Sequence, residues 1–425
     1  MKYRHRYARA AGVLALVAAV AACSSSTKPA SSSSTTTGSS ASTGSSVTSG
    51  AGASGAPLKV GLICSCSGAF GTNIAPAADV ARAWASSVNS SGGLEGHPIQ
   101  LTVLDDSSNP ATSATDATQL VSDHVDVILD DTVLDAVWAN TASTAKIPVV
   151  GGNFSSEPFY TNPDFYPSGE TNDSITYANV SVAKQAGADN LGNLYCAEAA
   201  QCQQSVPLIA AAGKLLGVPA VYNASISATA PNYTAQCLAA QQQHVSALFI
   251  GDSASVIAKV GQNCSQQGYK PIYVTEGTGF SMMLAKSAGT GANLWSDYPD
   301  LPFWADSPEV ATLNATVDKY KPGIRSNVLG WTEYAVQTWT AALLIEDAFK
   351  GSGVGTTGTP TATAMTTGLD SISNDDLSGW APPLTFTAGQ PHKVDCWFVG
   401  QVHDGTPSLV DGGKLSCQNG SSTSS

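Results

Sequence analysis

From residue 58 onward, short apolar stretches alternate with amphipathic ones, and this alternation constrains the fold more than any other feature of the chain. Lys59-Val60-Gly61-Leu62-Ile63 reads as a first strand. Ala77, Val80, Ala81, Trp84 and Val88 then recur at helical spacing and predict a helix over 75–89, stopped by Gly92-Gly93. Strands follow at 99–104, 125–129 and 147–150, with helices at 110–122 (Pro110 near its start) and 134–145 between them. Strand, helix, strand repeated this regularly implies a parallel sheet with helices on both faces. The rhythm breaks over 153–172, a stretch rich in Pro, Tyr and Asn, and then restarts. The second set has helices at 175–187, 205–216, 233–243 and 255–267 and strands at 190–195, 220–222, 245–250 and 271–274. It breaks again around Pro299-Asp300-Leu301-Pro302.

A long helix over 332–349, with Tyr334, Ala335, Thr338, Trp339, Ala342 and Ile345 on one stripe, is expected to return to the first set. The Gly/Thr/Pro-rich loop 351–363 is expected to be mobile, and strands near 384–386 and 394–402 end the fold. The expected fold class is therefore α/β: two doubly wound parallel-sheet lobes joined by a hinge. The lobes comprise residues 57–172 with 300–383, and 173–299 with 384–417. Ligands of open parallel sheets sit beyond the carboxyl ends of the strands, so the strand-end loops of both lobes should line one cleft.

The ends of the chain speak to compartment. Lys2, Arg4, His5, Arg6 and Arg9 precede an apolar run over 10–22. That run is shorter than the roughly 20 apolar residues a bilayer span needs, so 1–22 reads as a cleavable signal. Val20-Ala21-Ala22-Cys23 resembles a bacterial lipobox, with Val20 where Leu is usual, and the resemblance implies a lipidated Cys23 as the first mature residue. Residues 23–56, nearly all Ser, Thr, Gly and Ala, cannot bury enough apolar surface to offset chain entropy and are expected to form a disordered tether. The tail over 418–425 has the same character.

Net charge is −13 and no basic cluster lies outside the signal, which argues against nucleic acid as a partner. Setting Cys23 aside leaves eight of the nine cysteines, an even number for an oxidising compartment. Cys196 and Cys202 flank a short loop, Cys237 and Cys264 lie on consecutive helices, and Cys396 and Cys417 bracket the last strands. Cys64 and Cys66 remain, as a tight ring or as two thiols. No paired CxxC knuckles or His-Cys cluster points to a metal, and no cofactor motif is present. Nor is there a GxSxG elbow, an HExxH helix, a P-loop or a GxGxxG after a strand. Asp105-Asp106 and Asp130-Asp131 could serve acid–base chemistry, but adjacent strand-end residues point different ways. The chain is not expected to be an enzyme.

Lys59-Val60-Gly61-Leu62 with Ser67-Gly68, the segment from Asn89 to Gly96, and Val103-Leu104-Asp105-Asp106 together resemble type I periplasmic binding proteins, most closely the leucine/isoleucine/valine-binding branch. The likeness runs from about residue 58 to 299 and more weakly beyond. It implies a monomeric solute-binding lipoprotein that closes around an amino acid or related small polar solute and delivers it to an ABC permease. A sensor that signals to a membrane receptor is the alternative.

Matched by position, Thr132 and Ser155, with Asn153 beside it, fall where the family holds a carboxylate, and Glu276 falls where it holds an ammonium. Ser67 and Asp252 are further candidates at strand ends. Each has a plain structural reading too: Thr132 and Ser155 as helix N-caps, Ser67 as a turn residue, Glu276 as a solvated strand-end acid. Asp131 departs from the family pattern, because an acid beside a carboxylate pocket repels the ligand. Either it points away or the solute is more cationic than leucine. Trp84 and Trp339 are expected in the core, His124 and His244 on the surface.

Overall fold

The computed structural model describes residues 53–152, 156–198, 200–328 and 330–418. The alternation resolves into two sheets. In the first, β1 (Leu58–Cys64), β2 (Ile99–Asp105), β3 (Val127–Asp131), β4 (Val149–Gly151) and β5 (Phe165–Pro167) run parallel in the order β2-β1-β3-β4-β5. In the second, β6 (Leu191–Cys196), β7 (Ala220–Ile226), β8 (Ala247–Gly251), β9 (Ile272–Glu276) and β10 (Asn293–Tyr298) are parallel. A small antiparallel pair, β11 (Ser373–Asp375) and β12 (Leu384–Thr385), precedes the last strands. These are β13 (Cys396–His403) and β14 (Thr406–Leu409), which extend the second sheet antiparallel beyond β10, and the short β15 (Ser416–Cys417), which pairs with β13. The fold is the two-lobed α/β architecture that the alternation implies.

The helix Glu333–Gly351 packs on β3 and β4 and against the helix Pro76–Ser90, so the chain returns to cover the first sheet. The contact is anchored by Trp84, 1% exposed, whose Nε1 donates to Glu346 Oε1 at 2.7 Å. The next helix, Ala362–Asp370, lies so close that a Cβ on Gly368 would fall 1.8 Å from the Ala348 carbonyl oxygen. Trp339 is buried as well, and His124 and His244 are exposed, both at positive φ where they close helices.

The chain passes between the sheets three times: from β5 into the helix Asn172–Gln185, from β10 toward the helix Pro308–Tyr320, and from β12 to β13. Hydrogen bonds tie the crossings together. Glu170 N–H donates to the Pro299 carbonyl (3.4 Å), Thr171 N–H to that of Val394 (2.9 Å), and Leu301 N–H to that of Trp380 (2.8 Å).

Several elements differ from the sequence reading for identifiable reasons. β7 is an edge strand that alternates half-buried and exposed residues, so it continues through Asn223-Ala224-Ser225 where composition suggests a stop. β10 went unread because Asn293, Ser296 and Asp297 mask its apolar positions. The helix Pro308–Tyr320 was also unread, although its start is marked: Ser307 Oγ accepts from Val310 N–H at 3.2 Å and Pro308 opens the first turn. The helix expected over 134–145 is instead a 3₁₀ turn (Asp135–Val137) followed by Ala139–Ala145. His97 reaches the Gly355 carbonyl, in the loop after residue 351, at 2.9 Å and the Ala56 carbonyl at 2.6 Å through its two ring nitrogens. All four cysteine pairs are bonded: Cys64–Cys66, Cys196–Cys202, Cys237–Cys264 and Cys396–Cys417.

The Trp84 contact sets an expectation for stability. Trp84→Ala should cost about 3–5 kcal/mol through the cavity it leaves. Trp84→Phe keeps most of the ring, leaves Glu346 Oε1 without its donor, and should cost roughly 1–3 kcal/mol. Urea midpoints of the two variants against the parent check both values and their order.

Candidate solute-binding cleft

The carboxyl ends of the strands gather a set of acids with few partners. On the first lobe, β3 ends in Asp130 and Asp131, both fully buried. Asp131 takes a hydrogen bond on Oδ2 from the Thr338 hydroxyl of the covering helix, and its Oδ1 has no partner. Its carboxyl packs so tightly on Gly152 that a Cβ there would lie 2.8 Å from both oxygens. Burial lifts its pKa to about 8, against the opposing hydrogen bond from Thr338. Asp130 accepts from Thr132 N–H at 2.9 Å, and burial with the neighbouring Asp135 charge raises it well above the carboxylate range. Asp135, which accepts from the Ser156 hydroxyl, is lifted to about 7, again mainly by burial.

Thr132 is fully buried. Its hydroxyl donates to Asp106, lies 2.9 Å from Ser65 Oγ and accepts from Leu134 N–H at 3.1 Å, so it faces the interior of its own lobe. Ser67 is half-buried in the loop after β1, where its Oγ donates to Ser107 Oγ at 3.0 Å and its N–H to Asp105 at 3.1 Å. That loop is closed by the Cys64–Cys66 bridge. Asn153 and Ser155 lie outside the described residues.

On the second lobe, Glu276 ends β9, half-buried, with Thr278 Oγ1 donating to its Oε2 at 3.3 Å. Burial raises its pKa, while Thr278 and the nearby Asn179 amide oppose the shift. Asp297, next to it across the β9–β10 register, is raised first by burial and then by the Glu276 charge. Asp252, after β8, accepts from Ser253 N–H at 2.7 Å and is lifted to about 6, chiefly by burial.

The two lobes touch where the helix Glu333–Gly351 meets the turn Gly277–Gly279. In its first turn, half-buried Tyr334 has its phenol pKa raised by burial, then by the Glu276 charge, then by that of Asp131, so acids from both lobes act on one side chain.

Sequence reasoning missed three further acids, each fully buried: Glu170 and Asp300 on the crossings, and Glu333 at the start of the returning helix. Glu333 Oε2 accepts from Phe303 N–H at 3.4 Å, whereas the carboxyl oxygens of Glu170 and of Asp300 make no ordinary hydrogen bond, and only the Ser174 and Thr340 hydroxyls oppose their shifts. Burial raises all three, helped by Asp297 at Glu170 and by Asp300 at Glu333. No Lys or Arg occurs among the described buried residues, and the described ion pairs engage other acids. Nor do three or more His, Cys, Asp or Glu among the described residues converge as a metal site. These acids drew no notice in the sequence because each stands alone there; only the crossings bring them together.

The chain belongs to the periplasmic binding protein family, whose model matches residues 57–407. No curated protein sequence matches it. Among solved structures it is similar to a branched-chain amino acid ABC transporter protein from Thermus thermophilus with bound valine. The identity is 14%, the alignment covers 84% of this chain and 96% of that one, and the TM-score is 0.74. It is similar also to a fatty acid ABC transporter substrate-binding protein from Thermomonospora curvata (17% identity, 87% and 95% covered, TM-score 0.71). A third is an ABC transporter solute-binding protein from R. palustris in complex with benzoate (16% identity, 86% and 98% covered, TM-score 0.68). Family and fold agree with the type I resemblance read from the motifs.

The raised carboxyls make stability depend on pH with a defined sign. Unfolded aspartates ionise near pH 4, but folded Asp131 does so only at about 8, Asp135 at about 7, and Asp116 and Asp252 at about 6. In between, the folded state holds more protons, so stability falls as pH rises from roughly 4 to 8. For fully buried Asp131 alone the slope reaches up to ~1.4 kcal/mol per pH unit. Urea midpoints should therefore be lower at about pH 8 than at about pH 5, and Asp131→Asn should shrink the difference. An equal drop in the variant would show that Asp131 does not carry it.

Proposed function

We propose that the chain is the extracytoplasmic solute-binding component of an ABC importer, held to the membrane by a lipid on Cys23 and delivering its cargo to a membrane permease. The cargo in this reading is an amino acid or a related small polar solute captured between the lobes. The observation that carries it is Glu276: an acid at the carboxyl end of a parallel strand, half-buried, beside the turn where the lobes meet. That is where a doubly wound sheet receives its ligand, and a carboxylate there suits a cationic nitrogen.

Ser67 and Asp252, both half-buried at strand ends, have surface to offer a solute. Thr132 supports the same face from beneath, through Asp106 and Ser65. Asn153 and Ser155 are proposed to complete the first-lobe side, on the strength of the family pattern. Capture follows a two-state logic: the solute settles on one lobe, contacts to the other favour closure, and a partner reads the closed state. The solved relatives carry valine and benzoate or are named for fatty acids, and their identities of 14–17% support the scaffold and not the cargo.

A thermal-shift screen of the purified chain against amino acids, amides, amines and small acids tests the reading. A solute at 100 times its dissociation constant adds about 2.7 kcal/mol of stability, and that gain should vanish in Glu276→Ala. Shifts that persist in Glu276→Ala would move the site elsewhere, and an absence of shifts across the panel would count against solute capture itself.

A further inference from the structure

Buried carboxyls need a proton, a hydrogen-bonding partner or a positive charge, and several around this cleft have an oxygen that meets neither of the last two. Glu170, Asp297 and Asp300 together leave five carboxyl oxygens without a hydrogen-bond partner, and Asp131 and Glu333 leave one each. Neutral polar groups lie beside them: the Ser174 hydroxyl next to Glu170, and the Asn179 amide, which approaches Glu276. Glu170 and Asn179 are fully buried. Glu170 faces the charges of Asp297, Glu276 and Asp173, the last paired with Lys393 at the surface. Asp297 faces Glu276, and Glu333 faces Asp300. Tyr298 lies against Glu333 and Asp297, and Tyr334 against Glu276 and Asp131.

A compact metal ion does not fit, since the donors are strung along several strand ends and crossings and no three of those described converge. A neutral zwitterion fits poorly as well. Its ammonium suits Glu276, but its carboxylate would meet a first lobe whose strand ends carry Asp106, Asp130, Asp131 and Asp135, with no buried Lys or Arg among the described residues. A solute with more positive than negative groups meets acids on both sides.

We propose that the captured solute is a net-positive organic cation, such as a diamine, a guanidino-amine or a basic amino acid, whose charge pairs with these unpartnered carboxyls when the lobes close around it. The inference rests on the reading of the cleft as the site of solute capture and narrows the cargo. It gives the crossing acids a role: they make closure depend on what charge the solute brings.

Titration calorimetry on the purified chain, with putrescine, agmatine and arginine set against leucine and benzoate, tests it. Each titration is run near neutral pH in two buffers of different ionisation heat, so that proton release is counted. At least one cation should bind more tightly than leucine or benzoate, release protons, and gain affinity as pH rises from about 6 to about 8. Glu276→Gln should weaken that cation roughly thirtyfold or more. Glu170→Gln, which cannot ionise, should still bind it while releasing fewer protons, a change that a merely structural role for Glu170 would not produce. Putrescine or agmatine binding without arginine would identify a carboxylate-free cargo, and the reverse a basic amino acid; either supports the proposal. If leucine or benzoate binds as well as every cation, or cations bind without releasing protons, the charge inference falls and solute capture stands. If none of the five binds, both fall.

Discussion

A parallel sheet cannot leave either face to water, and everything distinctive about this molecule follows from how its first sheet is covered. β3 is buried along its whole length, acids included. The helix that covers β3 and β4 is not supplied by the neighbouring strands; it comes from residues some 200 positions later, Glu333–Gly351. To deliver it the chain must leave the second lobe, return, and then leave again to place β13 beside β10. Three crossings are the consequence, hydrogen-bonded to one another through Glu170–Pro299, Thr171–Val394 and Leu301–Trp380. The same returning helix brings Thr338 to Asp131 and Tyr334 to Glu276, so the element that completes the core also builds the cleft.

The crossings explain why acidic side chains gather where they do. Crossing segments lie between two sheets and are covered by both, so whatever polar groups they carry are removed from water without the regular pairing of a helix or strand. Glu170 and Asp300 are in that position, and Glu333 stands at the start of the returning helix, where Phe303 N–H from the second crossing reaches it. Asp300 raises the cost of ionising Glu333, Asp297 and Glu276 raise that of Glu170, and Glu276 that of Asp297. Buried charge without compensation is among the least stable arrangements a protein can hold. The largest apolar cluster runs through both lobes, from Leu58 and Trp84 to Leu248 and Leu294, so these acids lie beside a continuous core.

What could be read in advance follows the range over which each signal acts. Hydrophobic periodicity is local, and it gave the first four strands, the helix around Trp84 and the long helix around Trp339 within a few residues. The reading failed where polar residues occupy a buried strand, as in β10, and where an edge strand runs on through polar positions, as in β7. It also passed over the start of the helix Pro308–Tyr320, whose Ser-Pro-Glu opening is an ordinary capping signal. At the cleft, Glu276 was legible because a strand end is a local feature. The inward orientation of Thr132 was not, since it depends on Asp106 and Ser65, which arrive from two other strands. Nor was the company kept by Glu170, which is assembled from segments more than 100 residues apart.

The disulfides carry a consequence for how the molecule is made. Reading along the chain beyond residue 23, each cysteine is bonded to the next one, with separations of 2, 6, 27 and 21 residues. In a chain that emerges amino-terminus first, every thiol after Cys23 meets its native partner before any later thiol exists to compete, so oxidation can keep pace with emergence and leave nothing to unscramble. The sheets follow the opposite timetable: the first waits for its covering helix and the second for β13, and such distant pairings are slow to form. Local covalent bonds fixed early and long-range packing completed late would let an oxidising compartment act on this chain well before it has a finished core.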